Sequence, residues 1–185
     1  MSSTQLLQDM MRQYCKDRSS VYPDMKKLRE VLTQLSDQQK LHILQQKYSG
    51  WIPLRHAAYR DHTEIISTLL TSLQSSAYRL KLLMVYERYT PLHKAAYWGI
   101  TASVKMILDC LTTDRQIQLM SVTSWEGETA VQYAESEGHT DTVRVLTEYQ
   151  HRADNPMKEK YSKLMIIIPL LLIIMSGVMS TLMDS

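Results

Sequence analysis

Two cysteines are all that this sequence of 185 residues carries. Cys15 and Cys110 are too few for the multi-bridge framework of a small secreted domain, so they point to a reducing compartment. Excess charge is missing as well. A formal net charge of +2 is too small to mark a nucleic-acid binder. The opening stretch MSSTQLLQDMMRQYCKDRSS has no uninterrupted apolar run, so no secretory signal is read in it. Catalytic signatures are equally scarce. No Cys/His pair has zinc spacing, and HExxH, GxSxG and a Gly-rich phosphate loop are all missing. The residues therefore offer no catalytic site, no metal site and no cofactor.

What is present is apolar content for a core, 44% of the residues, unevenly spread over one domain or a short array. Residues 164–183 read LMIIIPLLLIIMSGVMSTLM, without a charge, Asn or Gln. As a helix this run would span roughly 30 Å, the hydrocarbon thickness of a bilayer. A buried helix of a soluble core would keep polar positions along one face. Here only Ser176, Ser180 and Thr181 are polar, all near the end. The pattern predicts one C-terminal transmembrane helix. A linker at 151–163 precedes it, in which Arg152, Lys158, Lys160 and Lys163 outweigh Asp154 and Glu159. No basic residue follows the run, so the positive-inside rule places the rest of the chain in the cytosol. The expectation is a single-pass tail anchor, with endoplasmic reticulum and secretory membranes favoured over the mitochondrial outer membrane. Pro169 would kink the span. Ser176/Ser180 and Gly177/Thr181 would let two spans pack as a weak homo-oligomer.

The rest of the chain is periodic. WIPLRHAAYRDHTEIISTLLTSL from Trp51, YTPLHKAAYWGITASVKMILDCL from Tyr89 and ETAVQYAESEGHTDTVRVLTEYQ from Glu128 fall into register. Pro53 and Pro91 are 38 residues apart, and Ala130 follows 39 later. Thr90 is placed to cap a helix whose first turn accepts Pro91. Ala95 and Ala96 permit close approach of a neighbouring helix, and Gly99 and Gly138 suit a helix end with positive φ. A second helix follows, with Ile66, Leu69, Leu70 and Leu73 matched by Val104, Ile107, Leu108 and Leu111. Between units, SDQQKLHILQQKYSG, SSAYRLKLLMVYERY and TTDRQIQLMSVTSWEGE each open on Ser or Thr with apolar residues at helical spacing, predicting a short extra helix. Gly50 and Gly127 mark a tight turn whose counterpart in the second unit is Arg88, where the turn should be altered.

TPLHKAAYWG (90–99) resembles the signature of the ankyrin repeat, and EGHTDTVRVL (137–146) resembles its second half. The resemblance covers about 49–150 and implies an all-α, ankyrin-like solenoid with short hairpin loops, to which the transmembrane helix is added. It departs from the family in period, which is usually 33 residues. Ile52 stands in place of the capping Thr, Arg55 in place of the His and Asp61 in place of the Gly. The implied organisation is an N-terminal helical cap or degenerate repeat at 1–35, three repeats at 36–150, the linker at 151–163 and the membrane helix at 164–183. In the cap, Leu6, Leu7, Met10, Met11 and Tyr14 form one helix face, and 28–35 repeats the pattern of 66–73. Cys15 is expected to be a surface thiol and Cys110 a core residue. Thr147 and Gln150 give the last repeat the polar outer face that ends a stack.

The family resemblance also directs attention to surface residues. His93 should be structural, hydrogen-bonding between neighbouring loops. Contacts with partners should come from the loops and the ends of the first helices: Tyr48, Trp51, Tyr59, Arg60, Tyr86, Arg88, Tyr89, Tyr97, Trp98 and Trp125. This set holds all three tryptophans and five of the eleven tyrosines. Trp, Tyr and Arg are the side chains that dominate binding hot spots. The competing assignment is that these rings pack repeat against repeat. The reading is a non-enzymatic, membrane-tethered adaptor for a protein partner, with no nucleic acid involved. Its rivals are a collar in an oligomeric channel or transporter and a non-catalytic subunit that positions an enzyme's substrate.

Overall fold

The computed structural model describes residues 2–16, 22–85 and 88–154. These fold into α1 (Ser3–Lys16), α2 (Met25–Thr33), α3 (Asp37–Leu44), α4 (Pro53–Tyr59), α5 (Thr63–Thr71), α6 (Ser76–Leu83), α7 (Pro91–Tyr97), α8 (Thr101–Asp109), α9 (Thr113–Met120), α10 (Ala130–Ser136) and α11 (Thr140–Asp154), with no strand among the described residues. Each interrepeat segment does contain a short helix: α3, α6 and α9.

Local chemistry sets the boundaries. Ser36 and Gln39 form a capping box at α3, and the Ser75 hydroxyl accepts from the Tyr78 N–H at α6. Thr90 with His93, and Thr129 with Gln132, form capping boxes at α7 and α10. Pro53 and Pro91 occupy the first helical turn, while Ile52 provides no side-chain cap to α4. Gly99 ends α7 with φ +64°. Asp61 holds the same place after α4 with φ +56°, a conformation that costs a non-glycine residue energy. Its carboxylate compensates by accepting the Ser103 hydroxyl at 3.0 Å from the next repeat.

Helices this short are marginal alone and gain stability by stacking. The first helices pack α1 on α4, α4 on α7 and α7 on α10, and the second helices pack α5 on α8. The interrepeat helices pack α3 on α6 and α6 on α9. Ala57, Ala58, Ala95, Ala96 and Ala134 are fully buried in the first-helix column. Ile66, Leu69, Leu70, Leu73, Val104, Ile107 and Leu108 are fully buried in the second.

The N-terminal helix corrects one expectation. Cys15 is only 2% exposed, not a surface thiol. Leu7, Met11 and Cys15 recur every fourth residue, which places all three on the face that α1 buries. Burial pushes the Cys15 thiol up to about 12, far from the range of a reactive thiolate. Cys110 is buried too, as expected. The molecule divides into one compact unit over Met1–Gln150 and a second over His151–Ser185. Of the second unit only the end of α11 is described. The expected membrane span at 164–183 and most of the linker lie outside the described residues. Among the described residues, no helix is long and apolar enough to cross a membrane.

A methyl group at residue 99 would lie 2.6 Å from the His139 ring, on a backbone already in the left-handed region. Displacing His139 would also break its 3.0 Å bond to the Tyr97 carbonyl. Gly99→Ala should therefore lose about 2 kcal/mol or more in urea denaturation of a fragment covering 1–154. Asp61→Ala, which keeps the strained φ and loses the Ser103 bond, should lose about 1–2 kcal/mol in the same assay. An unchanged midpoint for both variants would contradict this account of the repeat junction.

Candidate partner-binding face

The loops before the first helices and the exposed ends of those helices share one face. At its start, Tyr48 and Trp51 exchange backbone hydrogen bonds of 2.9 and 3.2 Å. Ser49 and Gly50 between them both have positive φ, +53° and +83°, as a two-residue hairpin turn requires. This turn presents the Trp51 ring toward α4.

From Trp51 a row of rings crosses the repeats. Successive centroids are 5.7 Å apart for Trp51–Tyr59, 5.5 Å for Tyr59–Trp98 and 5.3 Å for Trp98–Tyr97. The row continues to Tyr133 at 6.0 Å and to Tyr89 at 5.7 Å. Trp125 joins it by donating its indole N–H to the Tyr89 hydroxyl at 3.0 Å. The contacts are edge-on, the geometry that aromatic quadrupoles prefer. Packing between repeats and exposure therefore coexist. Tyr59, Trp98 and Trp125 take part in the row yet remain 41%, 51% and 58% exposed.

Cations line the same face. The Arg55 guanidinium lies 4.4 Å from the Trp51 ring centre, and that of Arg88 lies 5.1 Å from Trp125. Lys94 Nζ lies beside three rings, at 4.0 Å from Tyr89, 5.4 Å from Tyr97 and 5.9 Å from Trp51. Burial, and next the charge of Arg55, hold the Lys94 ammonium below its ordinary pKa, while Glu126 opposes them. The Glu126 carboxylate is itself engaged. It accepts from the Tyr133 hydroxyl, and from Tyr89 at 3.4 Å. Burial, and then this bond to Glu126, raise the Tyr133 phenol above its usual range.

The structure sorts the residues expected to meet a partner. Tyr59, Arg88, Trp98 and Trp125 are exposed, and Trp51, Tyr89 and Tyr97 are partly buried in the row. Arg60 turns toward α1, donating to the Tyr14 carbonyl at 3.0 Å. Tyr48 is a correction: it is 7% exposed, with its hydroxyl bonding Gln46 and Asp9, Arg12 and Cys15 of α1 close enough to act on it. Tyr86 lies outside the described residues. Sequence reasoning missed Lys94, Arg55 and Tyr133. The signal for two of them was in the register, since His56, Lys94 and Tyr133 occupy equivalent positions one residue beyond Arg55, His93 and Gln132. That column faces the loop.

A family model described as Ankyrin repeats (3 copies) matches residues 25–120. This chain belongs to the ankyrin-repeat family. The match starts at α2 and ends with α9, earlier at both ends than the resemblance over 49–150, and α10 and α11 continue the same helix pairing beyond it. No curated protein matches the chain. Among solved structures it is similar to a chain in the crystal structure of the yeast ribosomal protein Rps3 in complex with its chaperone Yar1, with a TM-score of 0.53 and 19% identity. The similarity covers 78% of this chain and 91% of that one. At that identity it shows a shared fold.

In this ankyrin stack His93 ties one repeat to the next. Its Nε2 lies 3.1 Å from the Glu128 carbonyl, which can only accept, so Nε2 carries the proton. The neutral ring leaves Nδ1 to accept from the Thr90 hydroxyl at 2.7 Å. Burial drives the pKa of His93 down from 6.5 to about 4. A lowered folded-state pKa means that the unfolded chain binds the extra proton. The contribution is therefore complete above about 6.5 and lost as pH falls toward about 4. For His93 alone this amounts to about 3 kcal/mol. Burial shifts His56 and His62 in the same direction. Stability measured by urea denaturation should thus decline from pH about 6.5 to about 4. His93→Gln, which can keep the capping box as Gln132 does, should lose about 1–2 kcal/mol at neutral pH and flatten the decline. An equally steep decline in that variant would refute the assignment.

Proposed function

We propose that this ankyrin-repeat chain is a non-enzymatic, membrane-tethered adaptor that holds a protein partner against its aromatic face. The observation that carries the reading is Trp98, half exposed in the middle of a ring row that is otherwise braced between repeats. A rigid, amphipathic ring already fixed by its neighbours loses little conformational entropy on binding, which is why such rings dominate hot spots. The similar fold in the Rps3 structure comes from a complex of a protein with its chaperone, an instance of protein binding in an assembly containing this fold. The tether is the apolar run at 164–183, with the basic linker before it keeping the repeats on the cytosolic side. Secretory-pathway membranes are the favoured address. Close packing of Ser176, Gly177, Ser180 and Thr181 would permit weak pairing of two spans. Tethering raises the local concentration of whatever is bound without requiring a new contact.

Alkaline extraction tests the tether. The full chain should stay with the membrane pellet, and a version ending at Tyr161 should be soluble. Release of the full chain by alkali would end the tethering mechanism. For the face, Trp98→Ala should change stability by less than about 1 kcal/mol and sharply reduce partner recovery by proximity labelling in cells. A severe loss of stability with unchanged recovery would return Trp98 to packing alone.

A further inference from the structure

Lys94 is an unusual place for an ammonium. It is half-buried on the face of α7 among the rings of Trp51, Tyr89 and Tyr97. An ammonium carries three N–H donors. Among the described residues, none of the three has a protein hydrogen-bond acceptor or an ion-pair partner; three ring faces lie beside the charge, and Arg55 and Glu126 act on it electrostatically. The carboxylate that acts on it, Glu126, is exposed and already accepts from Tyr133 and Tyr89. Two further cations flank the position, Arg55 over Trp51 and Arg88 over Trp125. The exposed rings of Tyr59 and Trp98 lie beside it in the same row.

We propose that Lys94 is the anchoring point for a carboxylate on an acidic segment of the protein partner, with Trp98 and Tyr59 supplying apolar contact to the residues beside that carboxylate. The inference rests on the adaptor reading and specifies the partner's chemistry. An incoming Asp or Glu would give the half-buried ammonium a charge-assisted hydrogen bond from a protein group, stronger there than at a fully exposed lysine. A basic segment would meet Arg55, Lys94 and Arg88 together and be repelled. A nucleic acid would need a track of phosphate contacts, whereas this face offers one ammonium in a ring cage and two guanidinium groups stacked on tryptophans.

The test uses the full chain in neutral detergent micelles, with a poly(Glu,Tyr) copolymer as the probe and a water-soluble carbodiimide as the coupling reagent. The carbodiimide converts a glutamate carboxyl to an O-acylisourea. Lys94 Nζ then attacks the acyl carbon, the urea leaves, and an amide forms with loss of one proton. Mass spectrometry should find Lys94 as the principal coupled lysine. Coupling should fall by about tenfold or more between about 0.05 and about 0.5 M salt. Lys94→Met, which leaves an apolar chain in the cage, should weaken copolymer binding by at least about tenfold in fluorescence anisotropy with unchanged helical content. Coupling spread over Lys81 on α6 and Lys105 on α8 while sparing Lys94 would overturn the proposal. So would poly(U) displacing the copolymer from Lys94. Partner recovery in cells that needs Trp98 but not Lys94 would overturn the carboxylate anchor and leave the adaptor standing. Recovery that needs neither would overturn both.

Discussion

Ala57 and Ala58 in one first helix, Ala95 and Ala96 in the next and Ala134 in the third have no exposed surface because α4, α7 and α10 approach each other over them. Everything else in the stack depends on that close approach. Seven-residue helices cannot persist alone, so the column of small side chains is what lets each unit bury the apolar face of its neighbour. The same spacing brings groups one repeat apart within hydrogen-bond reach. Asp61 meets Ser103, His93 meets the Glu128 carbonyl, and Asp37 accepts the Gln74 N–H at 2.9 Å. A bulkier residue in the alanine column would loosen all of these bonds together.

The aromatic face follows from this geometry. One repeat apart, Tyr59 meets Trp98 edge to edge, and Tyr89 and Tyr97 both meet Tyr133. A ring held this way can brace the repeats and still stay exposed, so packing between repeats does not exclude recognition at Trp98 or Trp125. The buried histidines and the cations over ring faces divide the electrostatic work. His56, His62 and His93 stay neutral inside because burial penalises their charged forms. Positive charge sits on Arg55, Arg88 and Lys94, over ring faces that stabilise it.

Much of this was legible in the chain. Thr90-Pro91 and Thr129 announce helix starts through hydroxyl caps, and Gly99 announces a helix end through its φ. The Ser and Thr residues that open the interrepeat segments announce α3, α6 and α9, though Thr112 caps without a side-chain bond to its own helix. Local signals of this kind act over three or four residues, so sequence carries them directly. Less legible were features decided by the partner element. Cys15 is buried because of what α1 packs against, and Tyr48 is buried beside that same helix. The cage around Lys94 draws one ring from its own helix and two from loops 5 and 43 residues away in the chain, so no short window displays it.

Site-specific photo-cross-linking addresses the central claim most directly. A benzophenone side chain would replace Trp98 on the aromatic face, and in a second protein Ile117 on α9, in full-length chains expressed in cells. The account predicts a discrete adduct with a protein partner from position 98 and none from position 117. Equal adducts from both positions, or an adduct from 117 alone, would contradict the assignment of the aromatic face as the surface that this ankyrin stack offers to its partner.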